Sequence, residues 1–271
     1  MIQRSLIAPL ASSQTGFRKD SDTWPHSTRS EKGNVMSEQK VFLITGASSG
    51  IGAATARKAA RAGYQLVLVA RSLETLQALV KEVGGTDRAL ALRCDITSWE
   101  DQQAIITATL ERFGKIDIAF ANAGIIKGAV SFFQGEATPT EWREMVLANI
   151  YGTALTARAT LPELVKTKGH LLLTGSVIGR VAAPGELYSA TKWAIAGMGE
   201  SIRRELGETG VRVTMIEPGQ VATTFYSHEH NTSTRPMLSP DDIADAVLYA
   251  VNQPPHVDVN EILLRPLGAF L

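Results

Sequence analysis

The sequence predicts a single α/β domain built on a doubly wound parallel sheet of seven strands. From residue 40 onward, short apolar runs alternate with longer helical patterns, and a last apolar run closes the series near the end. Most of these runs are continuously apolar, as expected for strands that helices cover on both faces. Repeated strand–helix alternation is typical of a parallel doubly wound sheet, and 271 residues suit one large domain.

The strands and several helix starts can be placed on the chain. The predicted strands are 41–45, 65–70, 89–93, 116–120, 170–174, 211–216 and 261–264. Helix starts are indicated at Ser98 with Asp101, at Thr138-Pro139 with Glu141, and at Ser239-Pro240 with Asp242. A hydroxyl at the cap with an acidic residue three positions later satisfies exposed backbone N–H groups, and proline is favoured at the first helical position.

The first 35 residues differ from the rest of the chain. They are rich in Ser, Thr and charge and show no sustained period, so we interpret them as disordered. Their one apolar patch, 6–10, is too short for a signal-peptide core. A sharper hypothesis is that Met36 is the biological start, which leaves 271 − 35 = 236 residues. Either interpretation makes 36–271 the folded domain.

Charge and cysteine content narrow the functional classes. Twenty-seven basic and 27 acidic residues leave no net charge, so no global attraction to nucleic acid or anionic membrane is predicted. No apolar run approaches the ~18 residues that span a bilayer. The single cysteine, Cys94, excludes an intrachain disulfide and favours a reducing, cytoplasmic location.

A glycine-rich turn follows the first strand and precedes a helical run at 53–62. Glycines allow a sharp turn and a close approach of backbone to a pyrophosphate, which the N-terminus of the next helix then attracts. A plain strand–helix turn is the alternative for such a loop taken alone. Its position after the first strand favours a Rossmann-type dinucleotide site. The residues assigned to it are Gly46, Ser48, Ser49, Gly50, Ile51 and Gly52.

The end of the second strand bears on the choice of dinucleotide. Sites for NAD usually place an acidic residue there, whereas this chain has Ala70-Arg71-Ser72. The Arg71 guanidinium suits a 2′-phosphate, so NADP(H) is favoured over NAD(H). The alternative is a solvated arginine at a strand end.

Tyr188 and Lys192 lie four residues apart and therefore on one face of a predicted helix. An ammonium beside a phenol favours the ionised phenol, which suits it to proton transfer at neutral pH. Such a pair alone is a weak indication, because most are a half-buried aromatic beside a solvated lysine.

The Gly-x-x-x-Gly-x-Gly loop and the Tyr-x-x-x-Lys pair, in this order, make the chain from residue 40 to its end resemble the classical short-chain dehydrogenase/reductase family. The resemblance implies that Asp95 and Ile96 contact the adenine, although Asp95 could instead only cap a loop. It implies that Asn122, Ala123 and Gly124 line the cofactor channel, with Ala121 where the family often has a first asparagine. Four residues after the sixth strand would lie on the nicotinamide side: Pro218, Gly219, Val221 and Thr223.

The same resemblance assigns the chemistry to four residues. Asn149 would anchor a water on the proton path, Ser176 would bind the substrate oxygen, Tyr188 would transfer the proton, and Lys192 would tune Tyr188 and bind the nicotinamide ribose. The implied reaction is reversible hydride transfer between NADP(H) and a small alcohol or carbonyl compound, such as a hydroxy acid, aldehyde or ketone. A non-catalytic dinucleotide-binding redox sensor is the alternative.

Finer expectations concern the substrate and partners. The segment 256–266 resembles the branch of 3-hydroxy acid dehydrogenases and clavulanic-acid-type aldehyde reductases, and the spacing from Ser176 to Tyr188 is one residue shorter than usual in the family. Residues 222–238 would form a substrate lid, whose His228 and His230 are interpreted as solvated, so no metal is predicted. The family resemblance also implies a homodimer or homotetramer, whose interface the helices at 139–165 and 187–207 would form. There Trp193 would face a partner unless it lies in the intrachain core.

Overall fold

A computed structural model describes residues 39–127, 132–133, 137–182, 187–225 and 237–269. Residues 1–35, which we predict to be disordered, and Met36, the proposed start, lie outside this part of the chain. So do residues 226–236, which make up most of the predicted lid. The domain boundaries stay predictions.

Seven parallel strands form one sheet in the order β3-β2-β1-β4-β5-β6-β7. The strands β1 to β7 are Val41–Thr45, Gln65–Ala70, Ala89–Arg93, Ile118–Ala121, His170–Thr174, Arg212–Pro218 and Glu261–Leu264. The predicted fold class is confirmed. Two strands differ from their predicted bounds. β4 begins two residues late, and β6 includes Pro218, which stands at a strand end where its missing N–H costs no ladder bond.

Helices cover both faces of the sheet. The helices α1 to α7 are Gly50–Arg61, Leu73–Glu82, Trp99–Phe113, Pro139–Val146, Thr153–Thr167, Leu187–Glu205 and Pro240–Val251. A π-helical turn, Leu147–Gly152, joins α4 to α5, and a 3₁₀ turn, Val177–Gly179, follows β5. Among the residues that the structure describes, no helix is both long and apolar enough to cross a membrane.

The predicted caps form to different extents. Thr138 and Ser239 both complete reciprocal capping boxes with the acidic residue three positions on. Ser98 accepts from the Asp101 backbone N–H, but the Asp101 carboxylate accepts from the backbone of Asp95 instead. That box is therefore half formed, because the Asp101 carboxylate bonds the loop after β3 and not the backbone N–H of Ser98.

The core consists of two apolar layers, one on each face of the sheet. Alternate residues of each strand supply them: Phe42 and Leu68 pack with α1, α2 and α7, while Leu43 and Leu171 pack with α3, α5 and α6. This double covering explains the continuously apolar strands. Beside β1, the strand order reverses towards β4, and a crevice opens at the carboxyl ends of the strands at such a point.

Candidate active site

A cleft of about 890 Å³ lies at the carboxyl edge of the sheet. It extends from the glycine loop and the end of β2 across β4 and β5 to α6 and the segment after β6. Of the predicted site residues, all line this cleft except Gly52 and Asn149. Those that line it are Gly46, Ser48, Ser49, Gly50, Ile51, Arg71, Asp95, Ile96, Asn122, Ala123, Gly124, Ser176, Tyr188, Lys192, Pro218, Gly219, Val221 and Thr223.

The glycine loop leaves backbone open to a ligand. Gly46 and Gly50 adopt positive φ of 66° and 51°, a region that disfavours other residues. Gly52 serves packing instead, because a Cβ there would lie 2.3 Å from the Gly46 carbonyl oxygen. The Ser49 side chain makes no capping hydrogen bond to α1, and the first turn of α1 holds no acidic residue. The helix N-terminus therefore keeps the polarity that attracts phosphate.

Asn122 ties three strand ends together while it faces the cleft. Its Nδ2 donates to the Thr45 carbonyl at 3.1 Å, and its Oδ1 accepts from Thr174 Oγ1 at 3.2 Å. The cofactor role that the resemblance assigns to Asn122 stays a prediction, and the structure shows that its side chain holds the ends of β1 and β5 beside the end of β4.

Arg71 and Asp95 lie at the end of the cleft that β2 and β3 form. Arg71 is exposed and makes no ion pair with another described residue. Asp95 accepts from the Thr97 backbone N–H at 2.9 Å and from Thr97 Oγ1 at 2.8 Å. These bonds, more than the nearby charge of Arg71, lower the pKa of the Asp95 carboxyl. Asp95 is thus a loop cap that also lines the cleft.

Lys192 is a buried ammonium at the centre of the site. Its Nζ donates to the Thr174 carbonyl at 2.8 Å and lies 5.6 Å from the centre of the Tyr188 ring. Burial lowers the pKa of Lys192 to about 8. The lysine therefore remains mostly protonated at neutral pH, but it titrates within the range in which enzymes work.

Tyr188 and Ser176 meet Lys192 at the same cleft. Tyr188 is 8% exposed, and its ring packs against Phe225 with the centroids 5.9 Å apart. Ser176 Oγ donates to the Pro218 carbonyl at 3.3 Å and accepts from the Ile178 N–H at 3.3 Å. A hydroxyl, a phenol and an ammonium therefore line one cavity beside the glycine loop.

Asn149 lies in the π-helical turn, behind the cleft wall and 2% exposed. Its Nδ2 donates to the Ile125 carbonyl at 2.9 Å and to Thr191 Oγ1 at 3.1 Å, while its Oδ1 accepts from the Ile125 N–H at 2.8 Å. The side chain therefore holds the segment after β4 against α6. Its water-anchoring role stays a prediction.

Several cleft residues were missed by the sequence reasoning. Thr174 is one of them, although its carbonyl accepts from Lys192 and its hydroxyl donates to Asn122. Lys127 and Glu144 form an ion pair on the cleft wall and come from different segments, so no local motif could pair them. Among the described residues, no three His, Cys, Asp or Glu side chains cluster as metal ligands, and His228 and His230 lie outside that part.

Comparison with known proteins agrees with this geometry. Residues 40–234 match the family model of the short chain dehydrogenases. An uncharacterised oxidoreductase of Staphylococcus aureus is 38% identical over 231 residues, which cover 84% of this chain and 97% of the relative.

Two solved structures are also similar. An alcohol dehydrogenase from the archaeon Thermococcus sibiricus, complexed with 5-hydroxy-NADP, is 35% identical with a TM-score of 0.76 and covers 85% of this chain and 97% of its own. A serine dehydrogenase in its closed form with NADP⁺ is 28% identical with a TM-score of 0.76, covering 83% and 94%. The chain therefore belongs to the short-chain dehydrogenase family of oxidoreductases.

Proposed function

We propose that this protein is an NADP(H)-dependent oxidoreductase that transfers a hydride between the nicotinamide and a small alcohol or carbonyl substrate. One observation carries the proposal: Ser176, Tyr188 and Lys192 line the same cleft as the glycine loop. A proton donor and a dinucleotide cradle in one cavity are what carbonyl reduction requires.

The residues of the cleft fit a dinucleotide. At Gly46 a Cβ would lie 2.9 Å from Ala123 Cα, so the backbone is compact where a pyrophosphate would approach. The N-terminus of α1 would hold the pyrophosphate, and Lys192 would bind the nicotinamide ribose. When bound, the nicotinamide supplies or accepts the hydride. The other residues assigned to it are Asp95 and Ile96 for the adenine, Asn122 to Gly124 along the channel, and Pro218, Gly219, Val221 and Thr223 beside the carboxamide.

Two observations support NADP(H) as the dinucleotide. Arg71 follows β2 without an acidic residue at the turn and makes no ion pair with a described residue, so its guanidinium is available for a 2′-phosphate. The similar alcohol dehydrogenase and serine dehydrogenase structures hold 5-hydroxy-NADP and NADP⁺, respectively.

The side chains divide the acid–base chemistry among them. In reduction, Ser176 Oγ would hydrogen-bond the substrate carbonyl oxygen, and Tyr188 Oη would donate its proton as that oxygen becomes an alkoxide. The Lys192 ammonium would stabilise the phenolate left on Tyr188. Asn149 would support this arrangement by holding Thr191, the neighbour of Lys192 on α6.

A small substrate with a polar or charged end fits the rest of the cleft. Apolar Ile126, Leu147 and Phe225 line it together with the Lys127–Glu144 ion pair. A hydroxy acid, aldehyde or ketone would place its carbon chain on the three apolar side chains and its polar end near the Lys127–Glu144 pair. The similar serine dehydrogenase and the resemblance of 256–266 to hydroxy acid dehydrogenases agree with this class.

Tyr188→Phe tests the proposal. We expect kcat for NADPH-dependent reduction of an aldehyde and ketone panel to fall by about 10²- to 10⁴-fold, because general acid catalysis is worth that much. NADPH binding, followed by fluorescence titration, should persist. Undiminished turnover would contradict the assignment, and a wild type that binds NADPH but reduces nothing would favour the redox sensor.

The assembly is a separate part of the proposal. We infer a homodimer or homotetramer through α4, α5 and α6. Trp193 is 49% exposed and donates its indole N–H to the Val181 carbonyl at 3.1 Å, so the alternative, a position in the intrachain core, does not hold. Gly197, on the same helix, is also exposed. Light scattering that shows a monomer at micromolar concentration would contradict the inference.

Location and partners complete the proposal. The single cysteine, Cys94, is buried, and burial raises its pKa to about 12, which keeps it unreactive in a reducing cytoplasm. We propose a cytoplasmic enzyme whose partners are a small-molecule substrate and further copies of the chain, with no nucleic acid or membrane. We also propose that residues 222–238 form the substrate lid.

A further inference from the structure

An ion pair between a half-buried arginine and a buried glutamate lies behind the segment that carries Ser176. Arg180 Nε donates to Glu217 Oε1 and Arg180 Nη2 donates to Glu217 Oε2, both at 2.8 Å. Glu217 is 1% exposed and stands in β6 directly before Pro218. The same guanidinium also contacts Glu261 on β7 at 2.7 Å. Neither Arg180 nor Glu217 lines the cleft, so the pair acts on the site only through its neighbours.

Glu217 adjoins Ser176 through two sets of contacts. Its stem packs on Gly175, where a Cβ would lie 3.0 Å from Glu217 Cγ. The Gly175 N–H donates to the Ile216 carbonyl at 2.8 Å, and Ser176 Oγ donates to the Pro218 carbonyl at 3.3 Å. The residues on either side of Glu217 thus bond to Ser176 and to the residue before it.

The other side of this segment rests on α6. Ser189 Oγ lies 3.0 Å from the Ile178 and Val181 carbonyls, and it donates to them. A Cβ at Gly179 would lie 2.9 Å from the Lys192 carbonyl oxygen, so the two backbones are in close contact. The 3₁₀ turn is therefore fixed against the part of α6 that bears Tyr188 and Lys192, and Arg180 ties its far end to β6.

We propose that Arg180 and Glu217 are positioning residues that set where Ser176 Oγ stands relative to Pro218. A bidentate guanidinium–carboxylate contact fixes both distance and angle, unlike a single point charge. Moving the 3₁₀ turn away from β6 would also leave the Glu217 carboxylate buried without a partner, which is costly. The inference rests on the proposed function, in which Ser176 holds the substrate oxygen and Pro218 borders the nicotinamide.

Glu217→Gln is the decisive variant. It keeps the shape of the side chain, removes the buried charge, and leaves Arg180 paired with Glu261. We expect kcat to fall about 10- to 100-fold, because a displacement of about 1 Å at a catalytic group costs that much. The KM for NADPH should change less than kcat, since Glu217 adjoins the cofactor site only at Pro218, while the glycine loop and Arg71 lie at the other end of the cleft. Arg180→Lys keeps the positive charge but loses the two-point guanidinium contact, and it should lower kcat less than Glu217→Gln does.

Two controls match this change. Glu261→Gln removes the half-exposed carboxylate from the same guanidinium without touching Gly175 or Pro218. Glu82→Gln breaks a similar two-point contact with Arg57, at 2.7 and 3.0 Å, on the outer surface. Both should keep the wild-type kcat. A Glu261→Gln loss equal to that of Glu217→Gln would overturn the inference, because general loosening of β6 and β7 would then explain both.

A double-mutant cycle separates positioning from simple destabilisation. In a Ser176→Ala background, Glu217→Gln should lower kcat no further, because its effect passes through the missing hydroxyl. Multiplied losses would contradict this.

Hydrogen exchange gives a readout that needs no turnover: backbone exchange over 175–182 should rise in Glu217→Gln but not in Glu261→Gln. If wild type lacks nicotinamide-dependent activity, the proposed function fails, while unchanged exchange over 175–182 overturns this inference on its own.

Discussion

Each end of strand β5 contacts or contains one buried titratable side chain, His170 at the amino end and Lys192 at the carboxyl end, and the two side chains have different roles. At the amino end of β5, His170 is 1% exposed, and burial lowers its pKa to about 3. At the carboxyl end, the Thr174 carbonyl accepts from Lys192, whose pKa burial lowers to about 8. One physical cause, desolvation, therefore acts at both ends of one strand.

The consequences differ because the surroundings differ. His170 Nε2 lies 2.7 Å from Thr214 Oγ1, which itself donates to the Val259 carbonyl at 2.5 Å, so Nε2 carries the hydrogen and donates it to Thr214. Because burial lowers the His170 pKa, the ring is neutral. Its surroundings are packed, and it stays neutral throughout the physiological range. Lys192 faces an open cleft and titrates near working pH. A perturbed pKa thus indicates chemistry only where a cavity gives a ligand access.

Lys192→Met should have the largest effect at the carboxyl end. We expect kcat to fall about 10²- to 10⁴-fold, since the phenolate of Tyr188 loses its ammonium. The free energy of unfolding at pH 7 should not fall, because burying the charge costs roughly 3 kcal/mol, which outweighs one lost hydrogen bond of about 1 kcal/mol. Steady-state kinetics and urea denaturation measure the two quantities. A destabilised variant with normal kcat would make Lys192 structural, like His170.

The titration of Lys192 predicts a pH profile in each state. Its pKa is lowered on folding, from about 10.5 unfolded to about 8 folded, so the unfolded chain binds more protons between these values. Stability contributed by this group therefore rises with pH from about 8 to about 10.5. Reduction, in contrast, should lose rate above about pH 8, as the ammonium deprotonates. A flat rate profile from pH 7 to 9 would contradict the role given to Lys192.

His170 predicts an acid-dependent loss of stability without any catalytic role. Its folded pKa of about 3 lies below the unfolded value of about 6.5, so the unfolded chain binds the extra proton as pH falls. We expect a loss of about 2 kcal/mol between pH 6.5 and pH 5. His170→Gln, which keeps a donor for Thr214 but cannot titrate, should remove that loss and leave kcat unchanged. Equal pH dependence in both proteins would refute this.

Arg71 at the carboxyl edge of the sheet and Arg212 at the amino edge give a second comparison. Their substitution should have the smallest effects on activity and stability. Arg212, at the start of β6, donates to the carbonyls of Ala250, Val251, Gln253 and Val257 at 3.2 to 3.4 Å. We expect Arg71→Ser to lower kcat/KM for NADPH about 10- to 100-fold, the value of one charge-assisted contact, with little change for NADH or for stability.

Arg212→Ser should do the reverse, lowering the melting temperature while the preference for NADPH persists. Kinetics with both dinucleotides and thermal unfolding measure these effects. If Arg212→Ser lost the preference for NADPH, or if Arg71→Ser kept it, the two arginines would not have the different roles given to them here.

Local sequence patterns were sufficient to predict the fold class, the bounds of five of the seven strands, and the features that depend on only a few neighbouring residues. The glycine loop, the two complete capping boxes and the Tyr188–Lys192 spacing depend on backbone geometry within a few residues, so pattern alone could place them. Even locally, Asp101 shows a limit, because its carboxylate bonds the Asp95 backbone and leaves the predicted box half formed.

The contacts between distant segments could be read only from the folded chain. It placed Asn149 behind the cleft wall, with its amide bonded to Ile125 and Thr191, and it exposed Trp193. It also brought Lys127 to Glu144 and Arg180 to Glu217. These pairs join different elements, and no periodicity records which strand ends meet at one edge of a sheet. Their energies depend on burial, which the completed fold alone sets.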